Sequence, residues 1–167
     1  MSDIQAPASA DSAGDQGPAV RFPPPLVFVA GYLLGVALMR VWPWPLPAAH
    51  SLAMRLFGVS FVIAGVSLAL VGVVTFKRAR VAVYPNRAAS ALVTHGLYRY
   101  TRNPMYLGMT IAYVGGTLLT AMTWALVLLP LVLLVLYQTV MRKEERHLHE
   151  RFPQAYAEYR ASVRRWL

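Results

Sequence analysis

The chain has 167 residues, 57% of them apolar and only 14% charged, with 16 Lys and Arg against 7 Asp and Glu and a net charge of +9. That length suits one domain of ordinary size, and a charged share far below the ~25% of globular proteins excludes a disordered chain and argues against a soluble one. The lack of cysteine excludes disulfides, cysteine zinc sites, a thiol nucleophile and S-palmitoylation.

Met1 to Gln16 is rich in Ala, Ser and Asp, and Gly17-Pro18 and Pro23-Pro24-Pro25 follow it. Without a basic n-region it does not read as a signal peptide; residues 1–25 are expected to form a disordered, dispensable tail before a single membrane domain, 26–167. The first apolar run, Leu26 to Met39, continues through Arg40, which can snorkel, to the interface pair Trp42 and Trp44. The second, Leu56 to Phe76, holds 21 residues without a charge. About 20 apolar residues cross a hydrocarbon core, so this run is one span. The third, Asn103 to Met141, is 39 residues long and too long for one span. It reads as a helical hairpin, Pro104 to Leu119 and Met122 to Met141, turning near Thr120-Ala121 and kinked at Pro130. The expected fold is therefore all-α and integral to the membrane, with about four transmembrane helices.

Thirteen of the 16 basic residues lie either between Lys77 and Arg102 or between Arg142 and Arg165, and the short connections Pro43 to His50 and Thr120 to Thr123 have none. Cytoplasmic segments carry such an excess, which puts both polar segments and both termini in the cytoplasm, with the bacterial inner (plasma) membrane as the expected location. Anionic lipid headgroups suffice as partners for this charge, and no nucleic acid is needed to explain it.

Neither polar segment is long enough for a soluble catalytic domain, so any chemistry must be built at the membrane surface from the loop, the C-terminal tail and helix ends. The loop reads SALVTHGLYRYTRNPMYLG from Ser90 to Gly108. Gly96 permits a positive φ or the close approach of a ligand. Asn103-Pro104 is a helix-start pair, N-cap then N1. Tyr98, Tyr100 and Tyr106 suit an interfacial belt as readily as a site, and Arg99 and Arg102 suit anchors. His95 is a candidate base or an ordinary polar loop residue.

The tail, MRKEERHLHERFPQAYAEYR, opens with the acids Glu144 and Glu145, which do nothing for orientation. Arg142 with Arg146 and Glu145 with His149 stand at i,i+4 spacing, as on a solvated helix face, whereas a binding role needs these charges turned toward the loop. Pro153 followed by Tyr156, Tyr159, Val163 and Trp166 at helical spacing predicts an amphipathic helix that lies on the membrane or caps the site.

Taken together, Leu92-Val93-Thr94, Gly96, Tyr98, Arg102-Asn103-Pro104, Tyr106 and Gly108, then a membrane hairpin, then Glu144-Glu145, then Phe152-Pro153 with Tyr156 and Tyr159, resemble the isoprenylcysteine carboxyl methyltransferases and the related phospholipid methyltransferases. The resemblance covers about 75 C-terminal residues. It implies an integral-membrane enzyme that takes a methyl group from S-adenosylmethionine, with the cytoplasmic loop and the C-terminal helices forming the cofactor site. In the relatives the glycine-containing loop and the first glutamate of the pair contact the cofactor, which carries over to Ser90, Leu92, Val93, Thr94, His95, Gly96, Leu97, Tyr98 and Glu144. Arg102, Asn103, Pro104, Tyr106 and Glu145 complete the implied cofactor set. Arg102 and the helix start at Asn103 offer positive potential for the cofactor's carboxylate, and Glu144 an acceptor for its ammonium or ribose.

Methyl transfer to an anionic nucleophile neutralises charge, so a dry site favours it, and positioning supplies much of the rate. The acceptor is expected to be a lipophilic small molecule or lipid arriving from the bilayer, with no metal involved. Prenylcysteine enzymes hold the substrate carboxylate with an arginine four residues before the glutamate. That position is Val140 here, and Arg142 is the nearest substitute. A carboxylate, an amine and a thiol therefore all remain open as acceptor groups. The candidate catalytic residues are His95, Arg102 and Arg142. A non-catalytic four-helix membrane protein, such as a transporter subunit or assembly factor, is the competing reading. It would be favoured by ionisable residues inside the spans, where only Arg55, near an end, is found.

Overall fold

The computed structural model describes residues 4–5, 20, 23–46, 51–79, 81 and 90–166. Two helices, α1 (Pro24–Val41) and α2 (Leu52–Arg78), are long and apolar enough to cross a membrane. Only 17% of the most apolar stretch of each is buried, so most of their hydrocarbon faces outward. Pro24 opens α1, where its missing N–H costs no helical hydrogen bond, and Lys77 and Arg78 close α2, where positive charge complements the helix dipole.

The hairpin begins as predicted, with α3 spanning Pro104–Leu119 and a turn at Ala121, whose φ is +56°. Its second arm departs from the expected single helix over 122–141. It consists of α4 (Thr123–Val127), α5 (Leu129–Leu136) and a π-helical turn, Tyr137–Met141. Pro130 explains the first break: it has no N–H to donate and its ring crowds the preceding turn, so the helix restarts one residue ahead of it. The π turn leads straight into α6 (Arg142–Arg151), and α7 (Pro153–Ser162) follows with Pro153 in its first turn.

One short sheet is present among the described residues. β1 (Ile4–Gln5) pairs antiparallel with β2 (Leu92–Val93), Ile4 opposite Val93 and Gln5 opposite Leu92. Composition predicts no structure at residues 4–5. The free edge of β2 supplies the reason for it, since an extended dipeptide satisfies backbone groups that would otherwise lack partners.

The chain divides into two compact units, one of which gathers Pro24–Ala69 with Tyr106–Leu136. Small residues set its helix contacts. A Cβ on Gly108 would lie 2.6 Å from both the Ala69 nitrogen and the Gly65 carbonyl oxygen, and one on Gly115 would lie 2.6 Å from the Val62 nitrogen. Only glycine lets α2 and α3 approach this closely, as small residues commonly do between membrane helices. At one end of this unit Trp124 Nε1 donates to the Trp42 carbonyl (2.8 Å), Trp44 meets Trp124 edge-on and Tyr32 shares a hydrogen bond with Thr120. The predicted interface tryptophans thus sit in an aromatic cluster, with Trp42 and Trp44 themselves largely exposed.

The other unit gathers Leu70–Met105 with Tyr137–Leu167. Its core packs Val81, Leu92, Val93 and Tyr98 against Phe152, Tyr156 and Tyr159. Tyr156 and Tyr159 of α7 therefore face the loop, whereas Val163 and Trp166, expected on the same helical stripe, lie beyond the helix, which ends at Ser162 where the backbone becomes extended.

Candidate functional site

The second unit holds most of the predicted site residues, and the loop positions them through two local features. Leu92 and Val93, each only 4% exposed, anchor one end as β2. Gly96 then takes φ +63° at the start of a 3₁₀ turn, Gly96–Arg99. A Cβ there would meet nothing closer than Thr75 at 3.8 Å, so the backbone angle, and not lack of space, calls for glycine.

That turn drives Tyr98 into the core. Its ring lies 5.1 Å from that of Phe76, and its carbonyl accepts a 2.7 Å hydrogen bond from the Tyr159 hydroxyl. The Tyr98 hydroxyl is buried and has no hydrogen-bond partner among the described residues. Burial raises its pKa, and the charges of Tyr159 and Glu144 add to the shift, so the group stays protonated and available as a donor. A buried donor without an acceptor is costly, which is why such groups point to a missing partner.

The same unit holds a cluster of one carboxylate and two guanidinium groups. Arg165 forks Glu145 through Nε (2.8 Å) and Nη2 (3.0 Å), and Arg102 Nη1 lies 3.4 Å from the same carboxylate. The Arg102 side chain is 10% exposed and that of Glu145 18%. Arg102 Nη1 also donates to the Tyr156 hydroxyl at 3.3 Å. Burial and the Glu145 charge raise the Tyr156 pKa against the opposing pull of Arg102, while the Glu145 hydrogen bonds raise that of Arg165. The cluster keeps one excess positive charge, and Arg102 Nε is a second buried donor with no partner among the described residues.

The predicted residues divide accordingly. Leu92, Val93 and Tyr98 lie in the core of this unit, with Arg102 and Asn103 close by at the start of α3. Of the two glutamates that open α6, Glu145 is turned inward, as a binding role requires, and Glu144 is near enough to act on Tyr98. Asn103 precedes a helix that starts at Pro104, as expected, yet its side-chain amide donates to the Arg165 carbonyl at 3.3 Å. Thr94, His95 and Leu97 are half-buried and Ser90 is exposed. His95 sits just before the 3₁₀ turn and does not cap it with its side chain. Pro104 and Tyr106 are buried in the first turn of α3. Arg142 is exposed and donates to Gln138 Oε1 at 2.7 Å, so it does not join the cluster.

Sequence reasoning missed Arg165, which it treated as one of many cytoplasmic charges. No periodicity links it to Glu145 twenty residues earlier; only the return of the chain after α7 does. Arg146 and Glu150 form a solvated i,i+4 pair at 3.9 Å, both well exposed.

No curated protein matches this chain. The family model described as phospholipid methyltransferase does, over residues 52–155, a stretch that takes in α2, the loop with its buried orphan donors, the hairpin, the glutamate pair and the start of α7. The match covers well over half the sequence and includes Arg102 and Glu145 of the cluster, so the chain belongs to the phospholipid methyltransferase family of membrane methyltransferases.

Proposed function

We propose that this protein transfers a methyl group from S-adenosylmethionine to a lipophilic acceptor at the cytoplasmic face of the membrane. The observation that carries the reading is that two buried donors, the Tyr98 hydroxyl and Arg102 Nε, have no hydrogen-bond partner among the described residues, in the loop that the family match includes. S-adenosylmethionine has the complementary groups: a carboxylate to accept from such donors, and an ammonium and ribose diol to donate to Glu144. When bound it supplies the methyl group from its sulfonium. The chain's own residues then bind and orient. Tyr98 and Arg102 meet the carboxylate, Glu144 the ammonium or ribose, and the loop backbone around Gly96 the adenine side.

In this reading the α3 hairpin adds two spans to α1 and α2, giving four, with both termini cytoplasmic. The dense basic segments support that orientation, and anionic headgroups are their partners. The acceptor arrives from the bilayer, consistent with the apolar faces that α1 and α2 turn outward. Arg142, exposed at the head of α6, suits an anionic group on the acceptor, and His95 suits proton removal from an amine. A carboxylate or thiolate acceptor needs no base.

Cofactor binding tests this reading against that of a non-catalytic membrane protein. S-adenosylmethionine titrated into detergent-purified protein should bind at one site, and Glu144→Gln, which keeps shape but removes charge, should weaken binding about 10- to 100-fold, the equivalent of about 1.5–3 kcal/mol for a charge-assisted hydrogen bond. Glu150→Gln, on an exposed side chain, should change it little. Equal affinity for wild type and Glu144→Gln, with both folded, removes Glu144 from the site.

A further inference from the structure

The family match ends at residue 155, and the segment that closes the far end of the loop lies beyond it. After α7 the backbone becomes extended at Val163 and returns along the residues that precede α3. The Arg102 amide donates to the Arg164 carbonyl at 3.0 Å. Thr101 Oγ1 and Asn103 Nδ2 both donate to the Arg165 carbonyl, at 3.0 and 3.3 Å. The Arg165 side chain points the other way. It forks Glu145 and lies 4.8 Å from the centre of the Tyr137 ring, at the π turn.

One residue thus ties three parts of this unit together: loop 101–103 through its carbonyl, α6 through Glu145 and the π turn through Tyr137. We propose that Arg165 is a positioning residue for the cofactor site, a latch that fixes Glu145 and, through it, the guanidinium of Arg102. This inference rests on the cofactor reading above.

The chemistry favours a latch over a surface ion pair. A forked guanidinium–carboxylate pair fixes direction as well as distance, and Arg165 keeps only 30% of its side chain exposed. With Arg165 in place, Glu145 is shared between two guanidinium groups, so Arg102 meets it through Nη1 alone at 3.4 Å and keeps Nε open. Without Arg165, Glu145 is left to Arg102, which can close on it through both nitrogens. The open donor is then lost to an internal pair. Glu144, the adjoining residue, shares the helix turn that Glu145 anchors.

The experiment measures S-adenosylmethionine affinity by calorimetry and amide hydrogen exchange over residues 101–103 in wild type, Arg165→Ala, Arg165→Lys, Glu145→Gln and the double variant Glu145→Gln/Arg165→Ala. Arg165→Ala should weaken binding about tenfold and speed exchange at the Arg102 amide by a similar factor. Arg165→Lys should recover part of both, since an ammonium keeps the charge but cannot fork. The double variant should be no weaker than the weaker single one, because both act through the same pair. Arg160→Ala, an exposed charge change on α7, should leave both readouts at wild-type values. If Arg165→Ala does not fold, Arg165→Gln retains the length and hydrogen bonding and takes its place. Wild-type binding retained in full by folded Arg165→Ala or Arg165→Gln overturns the latch alone. A folded wild type that binds no S-adenosylmethionine overturns the cofactor reading and the latch with it.

Discussion

At the scale of single residues, the buried hydroxyl of Tyr98 separates a site from a packed interior. A phenol placed only for packing would be better as phenylalanine, because a buried hydroxyl with no partner, as this one is among the described residues, loses its hydration and gains nothing in return. Tyr98→Phe is therefore expected to leave the unfolding temperature unchanged or slightly raised, while S-adenosylmethionine affinity falls about fivefold, the equivalent of ~1 kcal/mol for one hydrogen bond. Thermal unfolding and calorimetry on the same preparation check both halves. A lowered unfolding temperature with unchanged affinity would mean that the hydroxyl serves the fold.

Residue chemistry was legible in the sequence where it was local. Gly96 was readable as a positive-φ position because it separates an apolar strand from a tyrosine-rich turn, and its φ is +63°. Asn103-Pro104 was readable as a helix start, and α3 begins at Pro104. The Glu145 partners were not, because ion pairs between residues 20 and 43 positions apart leave no periodic trace.

At the scale of elements, hydrophobic runs located the helices well, since burying apolar side chains in lipid needs only length and composition. The second arm of the hairpin was the exception. Pro130 marks the first break, where a kink is expected, but the arm's apolar run is otherwise uninterrupted, so nothing in hydropathy marks the π turn at Tyr137–Met141. Gly108 shows the reverse difficulty. It is part of the family motif, yet what the structure shows at this position is the close contact between α2 and α3. Gly108→Leu would set a Cβ against backbone atoms of Ala69 and Gly65, which cannot swing away as a side chain would. The cost should exceed the ~1–3 kcal/mol of ordinary overpacking and appear as a clear drop in unfolding temperature. Gly116→Ala, on the same helix, enters open space and should be neutral or stabilising. Equal effects from the two substitutions would refute the close-contact explanation.

At the scale of the whole molecule, family membership and two long apolar helices make this a membrane protein. The proposed four-span arrangement with cytoplasmic termini makes a separate prediction from the charge pattern. A reporter fused after residue 167 should be cytoplasmic and one inserted at residue 48 should face the other side, a difference that a paired enzymatic reporter reads directly. A cytoplasmic signal at residue 48 would contradict the arrangement.

The central claim is that this arrangement moves a methyl group from a water-soluble donor to a lipophilic acceptor. Its most direct test is to incubate the purified protein in lipid with methyl-labelled S-adenosylmethionine and a panel of lipophilic acids, amines and thiols, then follow the label into the organic phase. Label should appear in the organic phase with at least one acceptor class and fall sharply with Glu144→Gln. No transfer to any acceptor by a folded protein that binds the cofactor, or equal transfer by wild type and Glu144→Gln, would contradict it.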